Sequence, residues 1–358
     1  MFGGGADRLS DQITIALDAM GGDDAPQIVV AGADIARRRN PDVKFLLFGD
    51  EKEVSELVAK QRGLDAFVEI RHTTEKVEAD DKPSQVVRSG HETSMWKAIE
   101  SVKLNEADGV VSAGNTGALM AMAMIVLRRL EGIDRPAIAS FFPTLRGETV
   151  MLDLGANIRC DARNLVEFAI MGEVFARTIL GIHEPTIGLL NVGEEETKGN
   201  DALKDAANLL RELDLPGEFV GFVEGNDIPA GAVDVVVTDG FTGNVALKTA
   251  EGTAKLINAF VRETFRNSFW AKIGYVFAKP SFDKLRSRSD PRRYNGAVFL
   301  GLNGVCVKSH GGTDAVGFAT AIGVAIDMIK YDGNALLKTN IERLDPEMLR
   351  PQPTATAS

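Results

Sequence analysis

The residues from Asp108 to Gly117, DGVVSAGNTG, recur at Asp234 to Gly243 as DVVVTDGFTG, sharing the pattern D-x-V-V-[ST]-[AD]-G-x-T-G. Each copy is a β-branched run, then small, hydroxyl-bearing and glycine residues, then ALMAMAM or NVALKTA. That order reads as a buried strand, a tight turn and a helix start. Glycine lets main-chain N–H groups approach a ligand closely, and a helix start adds the positive end of its dipole. Such a turn suits a phosphate or a carboxylate, and it is built twice. A lone copy reads more readily as a plain strand-to-helix connection; the repetition favours a ligand.

Other glycine-rich stretches carry polar residues in the same setting: Asp18 with Gly21, Gly22 and Asp23; Asp153 with Gly155 and Asn157; Asn191 with Gly193, Glu194, Thr197 and Lys198; and Asp239 with Thr242 and Asn244. Near the C-terminus, GLNGVCVKSHGGTD adds Asn303, Lys308, His310 and Asp314. Taken singly, these are turn and cap residues; their recurrence is what points to a site. Asp18, Asp23 and Asp153 are the acids that could hold a divalent ion, and they read instead as residues that shape turns. A Walker A sequence, HExxH, GxSxG and any His or Cys cluster at metal-ligand spacing are missing, so no metal and no cofactor is expected. Cys160 and Cys306 read as small packing residues rather than a disulfide or a nucleophile.

The elements that must position these residues alternate along the chain. Strand patterns run over Ile13 to Met20, Lys44 to Asp50, GVVSAG, Ala137 to Thr144, Thr149 to Asn157, Thr186 to Gly193, Glu218 to Gly225 and VDVVVTDG; helical patterns follow at Gln27 to Arg39, Glu51 to Arg62, Arg163 to Leu180 and Asn200 to Leu213. Repeated βα units imply a largely parallel sheet covered by helices on both faces, with ligands beyond the carboxyl ends of the strands. A flexible leader is expected over residues 1–11, one catalytic α/β domain over 12–349, and a flexible tail over 350–358.

Composition sets further bounds. With 358 residues, 44% hydrophobic and 25% charged, the chain can bury a large core. Its longest uncharged apolar stretches, Ala118 to Leu127 and Ala315 to Ile326, are far short of the roughly 20 residues that cross a bilayer. The N-terminus lacks the apolar core of a secretory signal, and two cysteines fit a reducing cytoplasm. A net charge of −11 argues against general nucleic-acid binding. From Arg262 to Arg293, however, nine Lys or Arg stand against three acids, a net +6 within an acidic chain, interleaved with aromatic residues. That stretch, within a helical segment at about 255–295, offers Trp270, Lys272, Arg286, Arg288, Arg292 and Arg293 to an acidic carrier protein or an anionic membrane face. A helical hairpin packed on a second subunit explains it as well.

The stretches DAMGGD, SAGNTGA, LGAN, NVGEEETKGN, DGFTGNVALKTAEG and GLNGVCVKSHG, in order from about Ile13 to Ala335, resemble the bacterial phosphate acyltransferases, the acyl-ACP:phosphate transacylases of phospholipid synthesis. The resemblance implies a three-layer α/β/α sandwich similar to phosphotransacetylase and to isocitrate dehydrogenase-like folds. It implies reversible transfer of a fatty acyl group from acyl carrier protein to inorganic phosphate, giving an acyl phosphate for a membrane acyl-phosphate:glycerol-3-phosphate acyltransferase. It also implies a homodimer in the cytoplasm, peripherally associated with the inner face of the cell membrane.

The chemistry fits the residues. Phosphate is already an anionic nucleophile and a thioester is already activated, so position and charge supply the acceleration. Ser112, Gly114, Asn115, Thr116 and Gly117 are expected to bind phosphate, with Thr242, Gly243 and Asn244 on the other side of the reacting centre and Asn157 and Asp239 beside them. Lys198, Lys248, Lys308 and His310 are the candidate cations or donors, Lys198 favoured for phosphate and His310 for the oxyanion or the leaving thiolate. Two rival readings stand beside this one. A nucleotide-linked dehydrogenase of the same sandwich fold is disfavoured by the lack of G-x-G-x-x-G after the first strand. A non-catalytic membrane scaffold leaves the polar strand ends unexplained.

Overall fold

The computed structural model describes residues 12–267, 269–288 and 290–342. The expected leader and tail lie outside the described residues, and so do the side chains of Lys272, Arg286 and Arg288.

Among the described residues, eleven strands form one sheet in the order β3-β2-β1-β4-β11-β10-β5-β6-β9-β7-β8. They are β1 (Thr14–Asp18), β2 (Lys44–Gly49), β3 (Val68–His72), β4 (Gly109–Ser112), β5 (Ala137–Pro143), β6 (Glu148–Leu152), β7 (Thr186–Leu190), β8 (Glu218–Val223), β9 (Val235–Val237), β10 (Ala297–Leu300) and β11 (Val305–Lys308). The helices are α1 (Gln27–Arg39), α2 (Glu51–Val58), α3 (Pro83–Ser89), α4 (Ser94–Lys103), α5 (Thr116–Val126), α6 (Ala162–Phe175), α7 (Asp201–Glu212), α8 (Asp227–Ala230), α9 (Gly240–Asn267), α10 (Phe269–Arg288), α11 (Ala315–Lys330) and α12 (Gly333–Glu342).

Strand residues alternate between two apolar cores. Ile15, Leu17, Val111, Val307, Val150 and Leu152 face one, packed under α1, α6, α7 and α11. Ala16, Val110, Cys306, Met151 and Val236 face the other, under α4, α5 and the start of α9. Burial on both faces is why these strands read as near-continuous Val, Ile and Leu runs rather than as alternating ones. The expected α/β/α sandwich is present.

The sheet is largely parallel, with one interruption. β3-β2-β1-β4-β11 form one parallel block and β6-β9-β7-β8 another. Between them β10 and β5 pair antiparallel with their neighbours. The second block therefore runs against the first, and its carboxyl ends leave the sheet in the opposite local sense. β3, β10 and β11 fall outside the strand patterns legible in the sequence.

Candidate active site

The sequence echo is a structural repeat. Asp108 accepts from Thr14 N–H at 2.8 Å, and Asp234 from Thr186 N–H at 2.8 Å and from the Thr186 hydroxyl at 2.7 Å. Each copy thus opens by clamping the first residue of the strand beside it, β1 or β7. The copies then diverge by two residues. In the first, Asn115 caps the helix, its Oδ1 accepting from Ala118 N–H at 3.0 Å. In the second, Asp239 accepts from Thr242 N–H at 2.9 Å and from the Thr242 hydroxyl at 2.7 Å, and the helix already begins at Gly240. The cause is one residue: position 239 is Asp, a strong N-cap, and its counterpart Ala113 cannot cap.

A first set of residues gathers at the ends of β1, β4 and β11. Asp18 is buried and accepts from the hydroxyls of Ser94 (2.6 Å) and Ser112 (2.7 Å), while Ser112 Oγ accepts from Gly114 N–H at 3.0 Å. Burial pushes the Asp18 carboxyl up, against these hydroxyl donors. Ser112, expected to touch phosphate, is fully buried and braces the loop instead. Asn115 Nδ2 donates to Ala79 O (2.9 Å) and Asp81 O (3.2 Å), tying the loop to the segment before α3. Thr116 and Gly117 are exposed at the start of α5, and their amides have no protein acceptor among the described residues.

Lys308 lies beneath this loop, buried, its Nζ donating to Ala113 O at 3.3 Å and to Ser309 O. Burial lowers its pKa to about 8, opposed by the nearby Asp18 and Asp23. It is a brace for two carbonyls rather than an open phosphate ligand. His310 is exposed, and its Nδ1 accepts from Gly312 N–H at 3.1 Å. That bond leaves the proton of the neutral ring on Nε2. Asn295, which the sequence did not single out, holds this turn: its Oδ1 accepts from His310 N–H at 2.9 Å, and its Nδ2 donates to Ser309 Oγ and to Gly317 O, both at 2.8 Å.

A second set forms at the ends of β6, β9 and β7. The fully buried Asp153 accepts from the N–H groups of Ile138 (3.0 Å), Gly155 (3.2 Å), Ala156 (3.0 Å) and Asn157 (2.7 Å), and from Asn157 Nδ2 at 2.9 Å. Burial pushes its carboxyl up and these donors oppose the shift. The carboxylate thus ties the 153–157 turn, and Gly240 N–H docks α9 on it through Asn157 O at 2.7 Å. The exposed Asn244 lies over Gly155. On the neighbouring strand, Asn191 donates to Lys198 O at 3.3 Å and folds back the loop that carries Lys198. The Lys198 side chain is exposed, with no protein partner among the described residues. Cys160, close to Asp153 and Asp239, has its thiol pushed up to about 12, chiefly by burial, and the fully buried Cys306 thiol is raised by burial too. Burial thus favours the neutral thiol at both.

Asn244, Asn157, Asp239, Thr242 and Gly243 therefore gather at the Asp153 turn, Lys198 is carried by the loop after the neighbouring β7, and Ser112, Gly114, Asn115, Thr116, Gly117, Lys308 and His310 belong together. Among the described residues no hydrogen bond or ion pair joins the two sets. The link is α9, which starts in the second set and carries Lys248, bound to Glu251 at 2.9 Å, to where its charge acts on Lys308. The same helix continues into the basic hairpin, closed by contacts of Phe265, Tyr275 and Phe282 at 5.1–5.5 Å. Of the expected docking residues, Trp270 is 77% exposed. Arg292 is bound to Asp290 (2.5 Å) and Asp314 (3.0 Å), which locks the base of the hairpin to the α11 cap and neutralises that cation. Arg293 is exposed, with its charge near Glu148.

Comparison with known proteins fits this architecture. The family described as "Fatty acid synthesis protein" matches residues 13–335. A phosphate acyltransferase of Rhodospirillum centenum is 60% identical over 98% of this chain and 100% of its own length, and one of Paramagnetospirillum magneticum is 56% identical over 98% and 100%. The chain belongs to the phosphate acyltransferase family. Its activity class is acyl transfer, as the resemblance implied. A phosphotransacetylase of Streptococcus pyogenes superposes with TM-score 0.59 at 19% identity, covering 90% of this chain and 95% of that one. The EutD phosphotransacetylase of Staphylococcus aureus gives 0.57 at 17% identity, covering 89% and 94%. At such identity the likeness is one of fold, and it matches the expected phosphotransacetylase-like sandwich.

Proposed function

We propose that this acyltransferase moves a fatty acyl group from acyl carrier protein to inorganic phosphate, releasing the carrier thiol and an acyl phosphate for phospholipid synthesis. A phosphate oxygen attacks the thioester carbonyl, the C–O bond forms, and the C–S bond of the tetrahedral intermediate breaks to expel the thiolate. The observation that carries this reading is the exposure of Lys198 and Asn244 on the segments that follow the paired strands β7 and β9, Asn244 over the turn fixed by the buried Asp153 and Lys198 on the loop folded back by Asn191. Lys198 supplies a free ammonium for phosphate, and the Asn244 amide a donor for the developing oxyanion. Asn244 is held near the start of α9 and Lys198 on a loop tied by Asn191, so little reorganisation accompanies the reaction. The first set, with the free amides of Thr116 and Gly117 and the exposed His310, supplies a further anion-binding corner.

The basic hairpin serves the partners: an acidic carrier protein, an anionic membrane surface and a second copy of this chain. In this reading the enzyme works as a homodimer peripheral to the cytoplasmic face of the membrane and passes its product to an acyl-phosphate:glycerol-3-phosphate acyltransferase. Among the described residues no helix is long and apolar enough to cross a bilayer. The test is release of free thiol from long-chain acyl carrier protein, with and without phosphate, following the acyl product by mass. Phosphate-dependent release with acyl phosphate as product is expected; thiol release that ignores phosphate, or none at all, overturns the proposal.

A further inference from the structure

Three apolar side chains border the second set without joining either core. Ile158, Val192 and Phe241 are 73%, 81% and 63% exposed. Ile158 follows Asn157, Val192 follows Asn191, and Phe241 lies between Gly240 and Thr242. The 2.7 Å bond from Gly240 N–H to Asn157 O sets the turns bearing Ile158 and Phe241 against each other. β7 and β9 are paired neighbours, so Asn191 and Val192 leave the sheet beside Asp239 and Phe241. Folding gains little from apolar residues at positions so exposed. A single exposed Val or Ile is ordinary; three on the neighbouring turns that carry Asn157, Asn191 and Asp239 border a polar site.

We propose that Ile158, Val192 and Phe241 seat the acyl chain, contacting the methylenes nearest the reacting carbonyl. This rests on the acyl-transfer reading above. A fatty thioester that presents its carbonyl to Asn244 must send its tail over the adjoining surface, and this rim is an apolar surface that borders it, next to the half-exposed Val245. Its charge suits a donor on an acidic carrier, since exposed Arg135 and Arg159 flank the same turn, Arg135 donating to Arg159 O at 3.5 Å. Burying one methylene is worth about fourfold in binding. The rim therefore sets chain-length preference and leaves the reacting atoms alone.

The test compares kcat/KM for hexadecanoyl and butyryl thioesters in the native protein and in the triple variant Ile158→Ser, Val192→Ser, Phe241→Ser. The triple variant is expected to lose roughly 10- to 100-fold on the long chain and less than about threefold on the short one. Phe241→Leu, which keeps an apolar side chain, should retain long-chain activity. Equal loss on both thioesters, an unchanged long-to-short ratio, or a shift in oligomeric state on sedimentation overturns the acyl seat, the last by showing a subunit contact. Native protein inactive on both thioesters with phosphate present strikes the acyl-transfer reading itself, and the seat with it.

Discussion

Replacing Gly240 by alanine attacks the joint between α9 and the Asp153 turn. A Cβ there would lie 2.7 Å from Asp153 Oδ2, 2.8 Å from Asn157 O and 2.9 Å from Asn157 N. Ordinary contact begins near 3.4 Å, so the helix start or the turn must move by about 0.7 Å. Neither can give easily, because the turn is held by five donors on one buried carboxylate. The overpacking should cost roughly 1–3 kcal/mol of stability. The same shift displaces Thr242 and Asn244, which follow on the same helix, and displacements approaching 1 Å cost up to about 100-fold in rate. We expect kcat to fall by roughly 10- to 100-fold in the phosphate-dependent thiol assay, with a lowered midpoint in urea. Gly252→Ala on the same helix is the control: nothing lies within 4 Å of its Cβ, and alanine inside a helix should add about 0.5–1 kcal/mol with activity unchanged. A Gly240→Ala enzyme within about threefold of native turnover would refute the coupling of this turn to catalysis.

Other outcomes follow from the same geometry. Lys198→Ala should lower kcat/KM by about 100-fold or more with no change in thermal midpoint, since the side chain braces nothing; a normal rate would remove it from the reaction. Lys308, pKa about 8 when folded against 10.5 ordinarily, binds fewer protons folded than unfolded between those values. Stability should therefore rise with pH across that window, by up to about 1.4 kcal/mol per unit, and Lys308→Met should abolish that component; parallel urea profiles for the two proteins would count against it. Asn115→Ala removes a helix cap and two ties to the 79–81 segment, and should cost roughly 1–2 kcal/mol in urea unfolding.

Much of the fold was legible because strands buried on both faces write unbroken apolar runs. Eight strands announced themselves that way. β3 did not, since VEIRH mixes charged and apolar residues on a half-exposed edge strand. β10 and β11 are four residues each and joined by a glycine-rich turn, so they read as loop. With them went the antiparallel centre, and hence the separation of the two glycine loops, which depends on strand direction and leaves no local trace. The repeat itself was visible, and so was the Asp239 cap, but one sequence could not show that Ser112 and Lys308 would turn inward as braces. Asn295 carried no signal at all. Ile158, Val192 and Phe241 could not be singled out in the sequence, because only the fold shows which apolar side chains it leaves uncovered.

The most direct test of the central claim is the fate of oxygen. Enzyme, acyl carrier protein thioester and fully 18O-labelled phosphate are mixed, and the acyl phosphate is weighed by mass spectrometry. Direct attack of phosphate on the thioester predicts a product that retains every labelled oxygen, formed in step with free thiol and suppressed by Lys198→Ala. Free fatty acid in place of acyl phosphate, or a product in which an unlabelled oxygen has entered the phosphoryl group or the bridge, would contradict it.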